Sequence, residues 1–146
     1  DKIKRDTITG LSASYQSGPV DLYGTSPTIV SSVWLNVEGN GTPVLVDFNA
    51  WVNLRHDPGG SFTSYFEIRR ANGGGFDIQV LYHTVEGSGM SNDNFLGMMP
   101  LKILDRPGPG NWQYYVRAWS SVSNMTIQRC SVRYMSATEY KTNSNA

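Results

Sequence analysis

Apolar and polar residues alternate with a period of two along most of this chain, and turn residues separate the alternating runs. Successive side chains of a β-strand point to opposite faces, so such a run predicts a strand with one face in a core. The clearest run is 43–55, with Val44, Phe48 and Val52 in its apolar set. Strong helix formers such as Ala, Glu, Lys and Leu are sparse, and 15 glycines and 7 prolines interrupt the chain. The pattern therefore favours strands over helices throughout.

Further runs of this kind lie at 29–37, 62–70, 76–83, 95–104, 112–120 and 124–134. Seven or eight strands with short turns and no crossover helices predict an all-β fold, an antiparallel β-sandwich that is jelly-roll-like. Pro100 removes a backbone donor, so its run should be an edge strand or two short pieces. The last run changes phase, which predicts a bulge near Gln128 and Arg129.

The chain is expected to form one domain over residues 27–141. Residues 1–26 alternate weakly and are predicted to be an entering strand or extended arm, and 142–146 a frayed tail. The sequence begins at Asp1 rather than Met, so we expect it to be a fragment or processed product of a longer protein.

Charge and composition exclude several classes of partner. Lys and Arg together number 12, as do Asp and Glu, and this balance argues against binding the phosphates of a nucleic acid. No apolar run approaches the roughly 18 residues of a membrane span, so we expect no membrane insertion. The single cysteine, Cys130, is expected to be a small buried hydrophobe rather than a disulfide partner.

No motif indicates catalysis, a metal or a cofactor. The two histidines, His56 and His83, lack the spaced ligands of a metal site. Three carboxylates lie on predicted strands opposite the apolar phase, and we expect them to be solvated outer-face residues: Asp47, Glu67 and Asp77. We therefore predict that the domain is not an enzyme. Glycan hydrolysis or cleavage by such a carboxylate pair is the remaining enzymatic alternative.

Aromatic residues and arginines share the phase opposite the apolar residues. Such side chains are typical of protein interfaces and of sugar-stacking sites. A subunit interface is favoured, the alternatives being coverage of the rings by a loop of the same chain and a ligand site. The set comprises Trp51, Tyr65, Arg69, Tyr115, Arg117 and Trp119, with Arg55 in the same phase.

Several segments between residues 29 and 141 resemble the C-terminal tip domains of bacteriophage tail fibres and other virion spikes. The resemblance is carried by the turn 107–110, the strand 112–117, Asn124, the closing segment 129–141, and the upstream segments 43–46 and 66–70. It implies a jelly-roll-like domain that forms a homotrimer about a fibre axis. It also implies a non-enzymatic, extracellular virion protein that attaches to a host-surface glycan or protein.

Connecting loops carry function on such scaffolds, so the candidate receptor loops are 38–42, 86–94 and 106–111. Their candidate residues are Asn40, Asn92, Asp93, Arg106 and Asn111. The competing hypothesis is a monomeric carbohydrate-binding module of a larger enzyme. In that case Trp51, Tyr65 and Trp119 would form a platform that stacks on a sugar ring.

Overall fold

A computed structural model of the protein describes residues 7–16, 18–22, 24–55, 61–87, 94–122 and 127–141. Nine β-strands form within these ranges: β1 Thr7–Gln16, β2 Val20–Asp21, β3 Thr28–Val37, β4 Val44–Arg55, β5 Phe62–Ala71, β6 Asp77–Gly87, β7 Asn94–Asp105, β8 Gly110–Ser120 and β9 Ile127–Lys141. Within the same ranges, no helix has the length and apolar character needed to cross a membrane.

The strands form two antiparallel sheets. The first sheet has the order β1-β9-β4-β7, with the short β2 also paired to β9, and the second sheet has the order β3-β8-β5-β6. Most consecutive strands alternate between the two sheets, as in a jelly roll. The predicted antiparallel sandwich is confirmed. The strand number is nine rather than seven or eight because residues 7–21 contribute both β1 and β2.

The strand that contains Pro100, β7, lies at the edge of the first sheet, as the sequence predicts. The predicted division of the chain at residue 26 stays a prediction, although β1 pairs with β9 over almost its whole length. The predicted tail 142–146 lies outside the described residues.

The core fills the space between the sheets with the apolar phases of the predicted strands. The whole apolar set of β4 is inaccessible to solvent: Val44, Val46, Phe48, Ala50, Val52 and Leu54. Phe66 and Ile68 of β5 and Val116 of β8 meet it from the second sheet. Cys130 lies in this core, and burial raises the pKa of its thiol to about 12.

A bulge in β6 changes the predicted faces of that strand. Ile68 pairs with Leu81, and the next residue of β5, Arg69, pairs with Gln79, so Val80 is an extra residue. The sequence predicts one shared face for Phe76, Ile78, Val80 and Tyr82. That prediction is wrong, because the extra residue reverses the phase and places Tyr82 on the outer face.

The bulge in β9 is real but lies further along the strand than predicted. Pairing with β4 is regular from Ile127 through Ser131 and shifts between Ser131 and Tyr134. Val132 adopts a positive φ of 49° there. The alternation of the sequence places Cys130, Val132 and Tyr134 in one inward phase. After the bulge, however, Val132 and Tyr134 are exposed, and the inward positions are those of Met135 and Ala137.

Candidate functional site

The predicted aromatic and arginine set divides between two outer surfaces. Trp51 belongs to β4 and points outward from the first sheet, whereas Tyr65 and Trp119 belong to β5 and β8 of the second sheet. The prediction of one shared face is therefore wrong for Trp51. Alternation shows on which side of its own strand a residue lies, but it does not show to which sheet the strand belongs.

The outer face of the first sheet carries large exposed apolar side chains between polar residues such as Asn49, Asn53 and Ser136. Six of these side chains, each between 39% and 66% exposed, define what we call the apolar face: Leu11, Tyr15, Trp51, Met98, Leu104 and Tyr134. The strand register arranges them in cross-strand rows. Tyr15 lies opposite Tyr134, and Trp51 lies opposite Met98. Large exposed apolar side chains grouped on one face are a common mark of interaction sites.

Two ion pairs of the described residues lie on this face: Asp21 of β2 with Arg129 of β9, and Asp47 with Lys102. Asp47 and Lys102 are directly opposite each other on β4 and β7, with Nζ 3.9 Å from Oδ2, and both side chains are exposed. The row on one side contains Leu104, and the row on the other contains Pro100 and Tyr134. Such an exposed ion pair contributes little to folding, so both groups remain available to a partner.

The outer face of the second sheet is occupied by a network of ion pairs, which defines what we call the charged face. At its centre, the Glu67 carboxylate accepts hydrogen bonds from Arg69 Nη1 at 3.0 Å and from Arg117 Nε at 2.6 Å. Gln79 Nε2 donates a third at 2.8 Å. The Glu67 side chain is 1% exposed. The expectation that Glu67 is a solvated residue is wrong, because arginines from two positions cover it.

These contacts fix the charge of Glu67. Burial alone would raise the pKa of its carboxyl, but the hydrogen bonds from Gln79, Arg117 and Arg69 outweigh burial and hold this pKa below its usual value. A general acid in glycan hydrolysis needs a raised pKa. Asp47, its predicted alternative partner, lies on the opposite face of the sandwich. The two carboxylates cannot act together on one bond.

A second acid extends the network. Arg69 Nε donates to Asp77 Oδ1 at 2.8 Å, and the Tyr115 hydroxyl donates to Asp77 Oδ2 at 2.5 Å. Burial would raise the pKa of Asp77, yet the bonds from Tyr115 and Arg69 lower it. Tyr115 has the predicted outward phase but is only 6% exposed, so the expectation that it is an exposed ring is wrong.

An aromatic cluster adjoins the network. Tyr65 and Trp119 are stacked with ring centroids 5.3 Å apart, and Tyr82 stacks on Tyr65 at 6.0 Å. The sequence did not predict Tyr82 as part of this outer cluster, because the bulge at Val80 reverses the face on which its side chain lies. The three rings therefore stack against one another within the chain. Trp51 is absent from the cluster, so the platform of Trp51, Tyr65 and Trp119 does not form.

Two of the three candidate receptor loops meet at one end of the sandwich. Arg106 Nη1 donates to the carbonyl of Gly41 at 2.7 Å and joins loop 106–111 to loop 38–42. Asn40, Arg106 and Asn111 are all exposed there. Asn92 and Asp93 lie outside the described residues. The strands that border the third candidate loop end at Gly87 of β6 and begin at Asn94 of β7, and both of these residues lie at the opposite end of the sandwich.

A buried carboxylate organises this loop end, and sequence reasoning missed it. Glu139 is inaccessible to solvent and accepts the backbone N–H groups of Glu38 and Gly39, at 3.1 Å and 2.8 Å, and the hydroxyl of Thr42 at 2.5 Å. The available signal was an acidic residue within the small and apolar stretch 135–139. Because buried charges require partners, such a position predicts hydrogen bonds to a loop.

The described part of the chain contains no group of three or more His, Cys, Asp or Glu side chains able to hold a metal ion. A metal site is therefore not among the candidate sites that these residues form.

No protein-family model and no curated protein matches the sequence. The fold is similar to solved structures at about one-tenth sequence identity. The Eiger TNF of S. frugiperda matches with a TM-score of 0.52 and 10% identity, over 92% of this chain and 94% of that one. A chain of the T13 IBDV viral particle matches with a TM-score of 0.55 and 10% identity, over 96% of this chain. This chain spans about a third of the viral protein, 32% of its length.

The stem and receptor-binding domain of the spike protein P1 from bacteriophage PM2 is a more distant neighbour. It has a TM-score of 0.47 and 11% identity, over 87% of this chain and 66% of that one. Ninety-one solved chains match in all, so the likeness identifies a widely used fold rather than one function.

Proposed function

We propose that the chain is a non-enzymatic structural domain of a virion, the tip of a trimeric fibre or spike, which binds a receptor on the host surface. Two lines of reasoning support this proposal. The sequence resembles phage fibre tips over residues 29–141, and the jelly-roll fold is similar to that of a chain in a viral particle. The observation that carries the proposal is the apolar face, because a fibre tip must assemble with copies of itself.

The composition of the apolar face suits a protein–protein interface. Aromatic residues and Met are enriched at interface cores, and Trp and Tyr dominate their binding energy. The face presents Trp51, Met98, Tyr15 and Tyr134 side by side on one sheet. The apolar face includes side chains from β1, β9, β4 and β7. These four strands follow one another across the sheet, so the face spans its width.

The occupant we propose is a second copy of this chain. Among its described side chains the face carries two ion pairs: Asp21 with Arg129 at 2.7 Å, and the longer Asp47 with Lys102 at 3.9 Å, which is the more readily exchanged with a partner. Asp47 of one copy can pair with Lys102 of the next, and this arrangement repeats around a closed ring of three copies. A partner with an excess of one charge would leave one of the two groups without a partner.

The receptor-binding end in this proposal is the pair of joined loops 38–42 and 106–111. Glu139 and Arg106 hold these loops in place by hydrogen bonds. Gly41 and Gly108 have positive φ, of 78° and 82°, which fits tight turns. A loop fixed before binding loses less entropy on binding. Three such ends on one tip would raise affinity for a multivalent receptor by about 10²–10⁴-fold.

Sedimentation equilibrium tests the assembly. A mass three times the 16.2 kDa of the chain is expected at micromolar concentration, and a single-chain mass would contradict the proposal.

A glycan array tests receptor binding by the joined loops 38–42 and 106–111. Binding should be lost in Arg106→Ala, and it should be retained in His83→Ala, whose side chain is exposed on β6, the edge strand of the second sheet.

The second candidate function is a monomeric carbohydrate-binding module, and the cluster of Tyr65, Trp119 and Tyr82 favours it. The rings adjoin ionised side chains, a combination found where sugars bind. This function predicts a single-chain mass and glycan binding that Trp119→Ala abolishes. A trimer whose glycan binding survives Trp119→Ala would exclude it.

A further inference from the structure

A cavity of about 220 Å³ lies where β1, β3 and β9 meet. Gln16 of β1, Arg133 of β9 and residues 29–32 of β3 line it. Val30, Ser31 and Arg133 are buried, whereas Ile29 and Ser32 are exposed. The cavity therefore has a buried inner wall and a rim that is open to solvent.

The inner wall contains a buried positive charge. Arg133 is only 9% exposed. Its Nη1 donates to the carbonyl of Val30 at 2.6 Å and its Nη2 to the carbonyl of Gly18 at 3.0 Å, while its Nε is buried with no acceptor. No carboxylate of the described residues pairs with it. Burial lowers the pKa of its guanidinium, as expected for a charge without a counterion.

Backbone irregularities on two strands produce this arrangement. The register of β3 against β8 shifts between Ile29 and Ser31, at the residue whose carbonyl Arg133 binds. Val132, immediately before Arg133, has a φ of 49°, which is rare for a β-branched residue. Bulges often re-aim side chains next to functional sites, and retained backbone strain is common at ligand-binding positions.

We propose that this cavity binds a small oxyanion, with Arg133 as its cationic ligand. The oxyanion is either the carboxylate of a sugar acid or an inorganic sulfate or phosphate, since the guanidinium suits both. The hydroxyl of Ser31 and the side chain of Gln16 supply further polar groups at the wall. At about 30 Å³ per water molecule, the cavity has room for roughly seven waters, enough for such an anion with part of its hydration.

Isothermal titration of the protein with sodium sulfate, sodium phosphate, glucuronate and glucose, at constant ionic strength, tests the site. Saturable binding of at least one anion is expected, with none of glucose. Tighter binding of glucuronate than of sulfate and phosphate would identify a sugar acid as the ligand class, and the reverse order an inorganic anion. Failure of all three anions to bind, or equal binding of glucose and glucuronate, would overturn the proposal.

Two arginines of β9 give a matched pair of variants. Arg133→Met should weaken anion binding about tenfold or more, because it removes the charged donor. Arg129→Met should leave binding unchanged, since Arg129 is exposed and pairs with Asp21 at 2.7 Å. Equal affinity in Arg133→Met and the unaltered protein would refute the assignment.

A second variant keeps the test decisive if Arg133→Met does not fold. Gln16→Glu replaces an exposed side chain that lies directly opposite Arg133 and supplies a carboxylate from the protein itself. The variant should fold and lose binding of the added anions. Undiminished binding in Gln16→Glu would count against the cavity as the site. The inference stands independently of the proposed function, because it does not require self-association.

Discussion

The two outer faces of the sandwich differ in how their side chains are satisfied. On the charged face, Glu67, Arg69, Arg117 and Asp77 bond to one another, and the neighbouring rings stack on one another. On the apolar face, exposed apolar side chains from four strands lie beside the long Asp47–Lys102 ion pair and the Asp21–Arg129 pair. The acids and arginines of the charged face are partnered within one chain, and fewer large apolar side chains are exposed there, Trp34 and Ile29 among them, than on the apolar face.

The comparison shows that residue type alone does not distinguish an interface from a structural network. Both faces carry aromatic residues, and arginine, an interface-enriched residue, is concentrated on the charged face. There, however, Arg69 and Arg117 are bound to buried carboxylates of their own chain. Their binding capacity is already used, so the charged face should contribute to stability and the apolar face to association.

Glu67→Gln gives the largest expected effect and tests whether the charged face is structural. The variant leaves two arginines beside a neutral amide and should lower the free energy of unfolding by about 2–3 kcal/mol. Chemical denaturation measures this difference. Asp47→Asn, on the apolar face, is the control and should cost less than about 1 kcal/mol, because its ion pair is exposed. Equal effects of the two variants would remove the distinction between the faces.

Two exposed tryptophans give a matched test of association. Trp51 lies on the apolar face and is 39% exposed; Trp34 lies outward on β3 of the second sheet and is 46% exposed. Trp51→Glu should weaken self-association by about thirtyfold or more, the size expected for an interface hot spot. Trp34→Glu should leave association unchanged. Light scattering over a dilution series measures both, and equal weakening would contradict the assignment of the interface to one face.

The pH dependence of stability sharpens the comparison further. Folding lowers the pKa of Glu67 below the 4.5 of the free side chain. Its carboxylate therefore contributes stability that is fully present above about pH 4.5 and is lost as the pH falls through the lowered, folded-state value. The difference in unfolding free energy between the unaltered protein and Glu67→Gln should shrink over that acidic range. A difference that stays constant from pH 7 to pH 3 would argue against an ionised Glu67 network.

The charges of the apolar face have the smallest expected effect. Lys102→Asp places two acids opposite each other and should weaken association by a few-fold, with the added Asp47→Lys substitution restoring it. Analytical ultracentrifugation at low and high salt follows the change, which salt should diminish. If the double variant associates no better than Lys102→Asp, Asp47 and Lys102 do not pair between copies.

The alternation of apolar and polar residues predicted the strands and most of their buried faces, but it predicted less well which exposed side chains lie together on a surface. The core phases of β4 and β8 are as predicted, because an uninterrupted strand reports its buried face directly. The faces of Tyr82 and Tyr134 were mispredicted, since each follows a bulge and one extra residue reverses the phase. Strand-to-sheet assignment depends on long-range pairing, which explains why Trp51 was grouped with Tyr65.

The surface chemistry was also only partly predictable. Glu67 and Asp47 look alike in sequence as outward carboxylates, but only Glu67 has arginines both on its own strand and directly across on β8. Glu139 and Arg133 gain their roles from contacts about 100 residues away in sequence. Local patterns can indicate that a buried charge needs a partner, but they do not show which distant residue provides it.

Hydroxyl-radical labelling followed by mass spectrometry, at concentrations above and below the association range, tests the central claim most directly. Met98 is the exposed methionine among those whose side chains the structure describes, and it lies on the apolar face; Tyr82 is comparably exposed on the charged face. We predict that labelling of Met98 falls as copies associate while labelling of Tyr82 stays constant. Protection of Tyr82 with Met98 unchanged, or no protection of either, would contradict an assembly through the apolar face.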